Sequence, residues 1–108
     1  MSWYSYIACF FAGIFLANVV PHFVHGISGD PFPTPFAQPR GKGLSSPTVN
    51  VIWGLANLVV GYFLFQAGNV ASGNYSALAI LFAGIVAIST ILSMRFAKKG
   101  VAKAPPDS

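Results

Sequence analysis

Three long apolar stretches constrain this chain more than any other feature. They cover approximately residues 3–24, 49–67 and 75–94. A membrane-spanning helix needs roughly 20 mainly apolar residues. The stretches contain β-branched residues, but they are too long for strands, lack strict alternation, and would leave backbone groups unpaired in lipid if they were open strands. The sequence therefore predicts an all-α integral membrane protein, a single domain over 1–108 with three transmembrane helices.

Charged residues are too few to cover a water-soluble surface. They make up 7% of the 108 residues, and apolar residues make up 55%, whereas an ordinary soluble domain carries about 25% charged residues. The net charge of +4 is compatible with nucleic acid, but four of the six basic residues follow the third apolar stretch. Because that placement suits an anionic lipid surface, we predict the lipid bilayer as a partner and no nucleic acid.

The basic residues also predict an orientation. Arg40 and Lys42 lie in the first connection, the second connection has no charge, and the tail 95–108 holds the other four basic residues. In a three-span protein the first connection and the C-terminus share one side, which the positive-inside rule assigns to the cytoplasm. We therefore expect a plasma (inner) membrane protein with its N-terminus outside, and with the loop 26–48 and a flexible basic tail in the cytoplasm.

Small and amide residues follow one face of the second predicted helix. This face consists of Asn50, Gly54, Asn57 and Gly61. The third stretch has a row of small residues at a spacing of four, Ala79, Ala83 and Ala87. Small residues let helices approach closely, and amides hydrogen-bond between them. We predict that these faces meet in a bundle with Asn18 of the first helix near its interior. The alternative is that the amides line a path.

The connection 26–48 is long for a compact unit and rich in Pro, Gly and Phe. Its prolines stiffen it, and its apolar side chains argue against disorder. We predict a folded lid at the cytoplasmic membrane surface, whose loop surface consists of Phe32, Pro33, Pro35 and Phe36. Arg40 and Lys42 follow in a glycine-flanked turn, where we expect a lipid headgroup or another anion.

The two histidines are the candidates for metal chemistry. His22 and His25 would be neighbours on a helix, and Asp30 is the nearest carboxylate. The three could form an open metal site, and a haem held by histidines would require a dimer. However, this pattern is common by chance, and histidines at a helix end also suit the membrane interface. We therefore predict no cofactor, with haem or a divalent metal as the alternative.

Three functional hypotheses remain. We expect a small non-catalytic membrane protein, either an accessory subunit of a larger membrane complex or a self-associating homo-oligomer, with a structured cytoplasmic loop. The first alternative is an oligomeric transporter or channel for a small solute or ion, lined by Asn18, Asn57 and His22. The second is a redox or enzyme component that uses His22 and His25. We lean against an enzyme because the serines and Cys9 lack a visible catalytic partner.

Overall fold

The structure is a computed structural model that describes residues 2–39 and 43–103, with side chains up to Ala97. The described residues are helical apart from turns and loops. They form α1 (Trp3–Ile27), α2 (Pro47–Ala67) and α3 (Tyr75–Lys103), with a short 3-10 turn between α2 and α3. Each α-helix contains a segment long and apolar enough to cross a membrane. The predicted all-α fold with three such helices is therefore confirmed for this part of the chain.

Two of the helices extend modestly beyond the predicted bounds. α1 continues to Ile27 instead of ending near Val24, because the residues after Val24 keep helical geometry. α2 begins before Val49, since the side chain of Ser46 caps the helix by accepting a hydrogen bond from the N–H of Val49 at 3.2 Å. A proline at the first helical position, which needs no backbone donor, suits the same N-terminus.

α3 differs most from its prediction. It runs on to Lys103, whereas the sequence predicts an end near Met94 and a flexible basic tail from 95 to 108. Arginine, lysine and alanine are strong helix formers, so the helix continues after the apolar stretch ends. The predicted tail is therefore helical up to Lys103, and its last five positions, 104–108, lie outside the described residues.

α1 is the central helix of the fold. It packs against both α2 and α3, whereas α2 and α3 barely touch each other. In the most apolar 18-residue segment of each helix, few residues are buried inside the protein: 22% in α1, 22% in α2 and 11% in α3. Large apolar side chains such as Ile52, Phe63 and Phe82 are exposed instead. The apolar surface of the helices therefore faces outward, as it does in a protein surrounded by lipid.

The contact between α1 and α3 depends on two glycines rather than on the predicted alanine row. A Cβ atom at Gly84 would overlap the carbonyl oxygen of Phe10, and one at Gly13 would overlap that of Leu81. The two backbones therefore cross where each helix has no side chain. Ala87 is half-buried, but Ala79 and Ala83 are exposed, so the prediction that the row Ala79, Ala83 and Ala87 meets the other helices is wrong.

Candidate functional site

The described part of the connection between α1 and α2, residues 28–39 and 43–46, folds back over the ends of the helices, and we call it the lid. Phe32 and Ser45 form an antiparallel bridge, in which each backbone N–H donates to the carbonyl of the other residue, at 3.2 and 2.9 Å. The hydroxyls of Thr34 and Ser45 are hydrogen-bonded to each other, and Thr34 is 1% exposed. The described part of the lid is therefore a folded segment with its own internal hydrogen bonds.

Asn50, in the first turn of α2, holds the lid in place. Its Nδ2 lies 3.0 Å from the carbonyl oxygen of Phe32, 3.2 Å from that of Ser45 and 3.0 Å from that of Ser46. Its Oδ1 lies 2.8 Å from Nδ1 of His22 on α1. Because Asn50 has no exposed surface, these bonds are shielded from water and join α1, α2 and the lid through one side chain.

The same network assigns the tautomer of His22. Three carbonyl oxygens surround Nδ2 of Asn50, so the amide nitrogen must face them and Oδ1 must face the histidine. An amide oxygen accepts hydrogen bonds and never donates them. Nδ1 of His22 therefore carries a hydrogen, and in the neutral ring Nε2 keeps its lone pair.

A second polar contact lies one turn deeper along α1. Nδ2 of Asn18 donates to Oδ1 of Asn57 at 3.1 Å, and Nδ2 of Asn57 donates to the carbonyl oxygen of Trp53 at 2.8 Å. Gly54 and Gly61 make room for α1, since Cβ atoms there would press against Phe23 and Leu16. The structure thus places the whole predicted face of α2 against α1. The buried residues of α2 are Asn50, Gly54, Asn57 and Gly61.

The predicted metal ligands are not brought together. His22 directs Nδ1 at Asn50, and His25 stacks on Phe32 with ring centroids 4.1 Å apart and planes 13° from parallel. Asp30 is exposed on the lid. Among the described residues, no group of three His, Cys, Asp or Glu side chains is arranged to hold a metal ion.

The predicted loop surface divides into an inner and an outer part. Phe32 is 9% exposed and lies against His25 and, with ring centroids 4.8 Å apart, against Phe96 of α3. Pro33 is also buried, whereas Pro35 and Phe36 face outward. The first part of this segment therefore holds the lid against the helices, and the two residues that follow present its outer surface. The predicted anion-binding residues, Arg40 and Lys42, lie outside the described part of the chain.

A cavity of about 200 Å³ lies beneath the lid. Asn18 and His22 of α1 form its floor, Trp53 lies on its α2 side, and Leu92 and Arg95 lie on its α3 side. The indole Nε1 of Trp53 is buried and has no hydrogen-bond partner among the described residues. The sequence analysis did not predict this site, because no local pattern connects Trp53 of α2 with the lid end of α3.

No protein family model, curated protein or solved structure matches this chain. Its function is therefore inferred from the geometry of the lid, the polar network and the cavity.

Proposed function

We propose that this chain is a small non-catalytic integral membrane protein, an accessory subunit or a self-associating helix bundle. The hydrogen-bonding of the polar residues within the helices carries this proposal. Asn18 bonds to Asn57, and His22 bonds to Asn50, which also holds the lid. Polar residues within a membrane often belong to functional sites. However, a polar side chain that is hydrogen-bonded to a neighbouring helix stabilises the helix bundle.

The proposed location is the plasma (inner) membrane, with the lid and the C-terminus in the cytoplasm. The three apolar helices support insertion, and the six basic residues, all in the first connection and the C-terminal tail, support the orientation. Reporter fusions test it. A reporter after Ser108 should be active in the cytoplasm, and one inserted at Gly73, in the opposite connection, should be active outside. The reverse pattern would overturn the orientation.

An apolar patch on the outside of the lid supports a protein partner. Phe36 is 62% exposed and packs edge-on against Trp53, with ring centroids 5.0 Å apart. It borders an open apolar groove of about 350 Å³ together with Val49, Ile52 and Ala56. An exposed apolar patch marks a protein contact or a membrane contact, and Phe36 supports a protein contact because it lies on the lid and not on an apolar helix face.

Site-specific cross-linking tests the subunit proposal. A photoreactive side chain at Phe36 in native membranes should give a protein adduct, either with twice the chain mass or with one reproducible partner. The matched control is Ala37, the next residue, which is buried and should give none. A chain that forms no adduct from Phe36 and is monomeric by light scattering in mild detergent would contradict both forms of the proposal.

A further inference from the structure

The cavity beneath the lid changes from charged to apolar with depth. Arg95 lies near the level of the lid, because the next residue, Phe96, packs on Phe32 of the lid. An α-helix rises about 1.5 Å per residue, so Ile88 on the same wall lies about 10 Å deeper than Arg95. A molecule that matches this wall has an anionic group at the membrane surface and an apolar part within the bilayer.

Between these levels the floor of the cavity offers hydrogen-bond acceptors. Nδ1 of His22 is occupied by Asn50, which leaves Nε2 as an acceptor. Nδ2 of Asn18 is occupied by Asn57, which leaves Oδ1 as an acceptor. Neither free atom has a hydrogen-bond partner among the described residues. A ligand that displaces water from these two atoms should therefore bring a donor, such as a hydroxyl, to this depth.

The shape of the cavity limits how much of a ligand it encloses. Its volume of about 200 Å³ is below the roughly 300 to 1,000 Å³ of ordinary small-molecule pockets. Residues of the lid line it together with residues of all three helices, and α2 and α3 barely touch each other. The cavity therefore has room for a headgroup but not for an acyl chain, and Ile88 and Leu92 form an apolar wall along which such a chain can pack.

We propose that this cavity binds the headgroup of a single-chain phospholipid, a lysophospholipid, with its phosphate at Arg95 and its free glycerol hydroxyl donating to Nε2 of His22 or to Oδ1 of Asn18. A two-chain phospholipid carries an ester in place of that hydroxyl, so it brings no donor to either acceptor. The buried N–H of Trp53 has no partner in the described chain, and an ester carbonyl of the ligand that reaches the indole edge supplies one. The inference rests on the proposed membrane insertion.

Native mass spectrometry of the full chain in detergent micelles tests this site. The probes are lysophosphatidic acid, phosphatidic acid with the same acyl chains, and inorganic phosphate. We expect lysophosphatidic acid to be retained about tenfold better than phosphatidic acid, a difference of about 1.4 kcal/mol, because the two-chain lipid covers the acceptors without bringing a donor. Equal retention of the two lipids would overturn the proposal. Equal retention of inorganic phosphate would show a simple anion site instead.

Two variants locate the binding, each with a matched control. Arg95→Gln should lower retention of lysophosphatidic acid about tenfold, and Lys103→Gln, with the same loss of charge on α3, should not. Ile88→Trp fills the cavity and should abolish retention, whereas Val86→Trp on the exposed side of α3 should leave it unchanged. An Ile88→Trp protein that keeps the buried Cys9 unreactive to maleimide and still retains the lipid would contradict the site.

The lipid site and the proposed membrane insertion are tested by different measurements. Recovery in the membrane fraction and the reporter fusions test insertion, and neither depends on the lipid probes. A chain that inserts as expected but does not select the lysolipid would leave the proposed function standing and remove the lipid site.

Discussion

α1 makes two interfaces of different chemistry. Against α2, near the lid, the contact includes buried hydrogen bonds from Asn18 and His22. Against α3, near the middle of α1, the contact is a backbone crossing at Gly13 and Gly84. Beside this crossing is a small apolar core made of Cys9, Val70 and Ala77, with Phe65, Ile80 and Leu81 packed around it.

The difference between the two interfaces explains why α1 and α2 pack closely near the lid while gaps remain beside α3. Hydrogen bonds fix the register of α1 and α2 and also bind the lid, whereas the glycine crossing fixes only a close approach of α1 and α3. Beyond the crossing, α3 separates from α1, leaving a groove of about 480 Å³ on one side and the cavity of about 200 Å³ beneath the lid. The groove and the cavity therefore lie on the side of α3, whose interface with α1 has the glycine crossing in place of hydrogen bonds.

The largest expected effect concerns the glycine crossing. Gly84→Leu should lower the free energy of unfolding by about 3 kcal/mol, because its Cβ overlaps the backbone of Phe10 and cannot be accommodated by a side-chain rotation. Unfolding in mixed micelles, followed by tryptophan fluorescence, measures the change. Ala83→Leu on the exposed neighbouring position is the control and should change it by less than about 0.5 kcal/mol. Equal effects of the two would show that the crossing is loose.

The second effect concerns the attachment of the lid. Asn50→Leu should cost about 2 kcal/mol, because it leaves the buried N–H of His22 without an acceptor and removes the amide donor that links α2 to the carbonyl of Phe32. Hydrogen exchange should then accelerate at the backbone N–H groups of Phe32 and Ser45, while α3 near Gly84 keeps its protection. Thr48→Leu, on the exposed side of the same turn, serves as the control.

Asn50→Asp separates the two functions of this side chain. The aspartate keeps an acceptor for His22 but loses the donor to the lid carbonyls. Exchange should therefore accelerate in the lid while the contact between α1 and α2 is retained. A lid that stays protected in both variants would mean that the internal bridge between Phe32 and Ser45 is sufficient to hold it.

The two interfaces also differ in how far the sequence predicts them. The polar face of α2 is visible because helical spacing alone places Asn50 and Asn57 on one side. On α3, helical spacing allows two packing faces, one with the exposed alanines and one with Gly84. Only the contact with α1 shows that the face with Gly84 is the one that packs. The bond between His22 and Asn50 joins residues 28 positions apart, and no local pattern indicates it.

The smallest expected effect on stability comes from removing the hydrogen bond between Asn18 and Asn57. Asn57→Leu should cost more than Asn18→Leu, because Asn57 also donates to the carbonyl of Trp53. The double-mutant cycle should give a coupling of about 0.6 kcal/mol and no more than about 1.7 kcal/mol, the range for polar pairs between membrane helices. A larger coupling would mean that this pair, and not Asn50, sets the register of α1 and α2. A coupling near zero would leave His22 and Asn50 as the bond that distinguishes this interface from the glycine crossing.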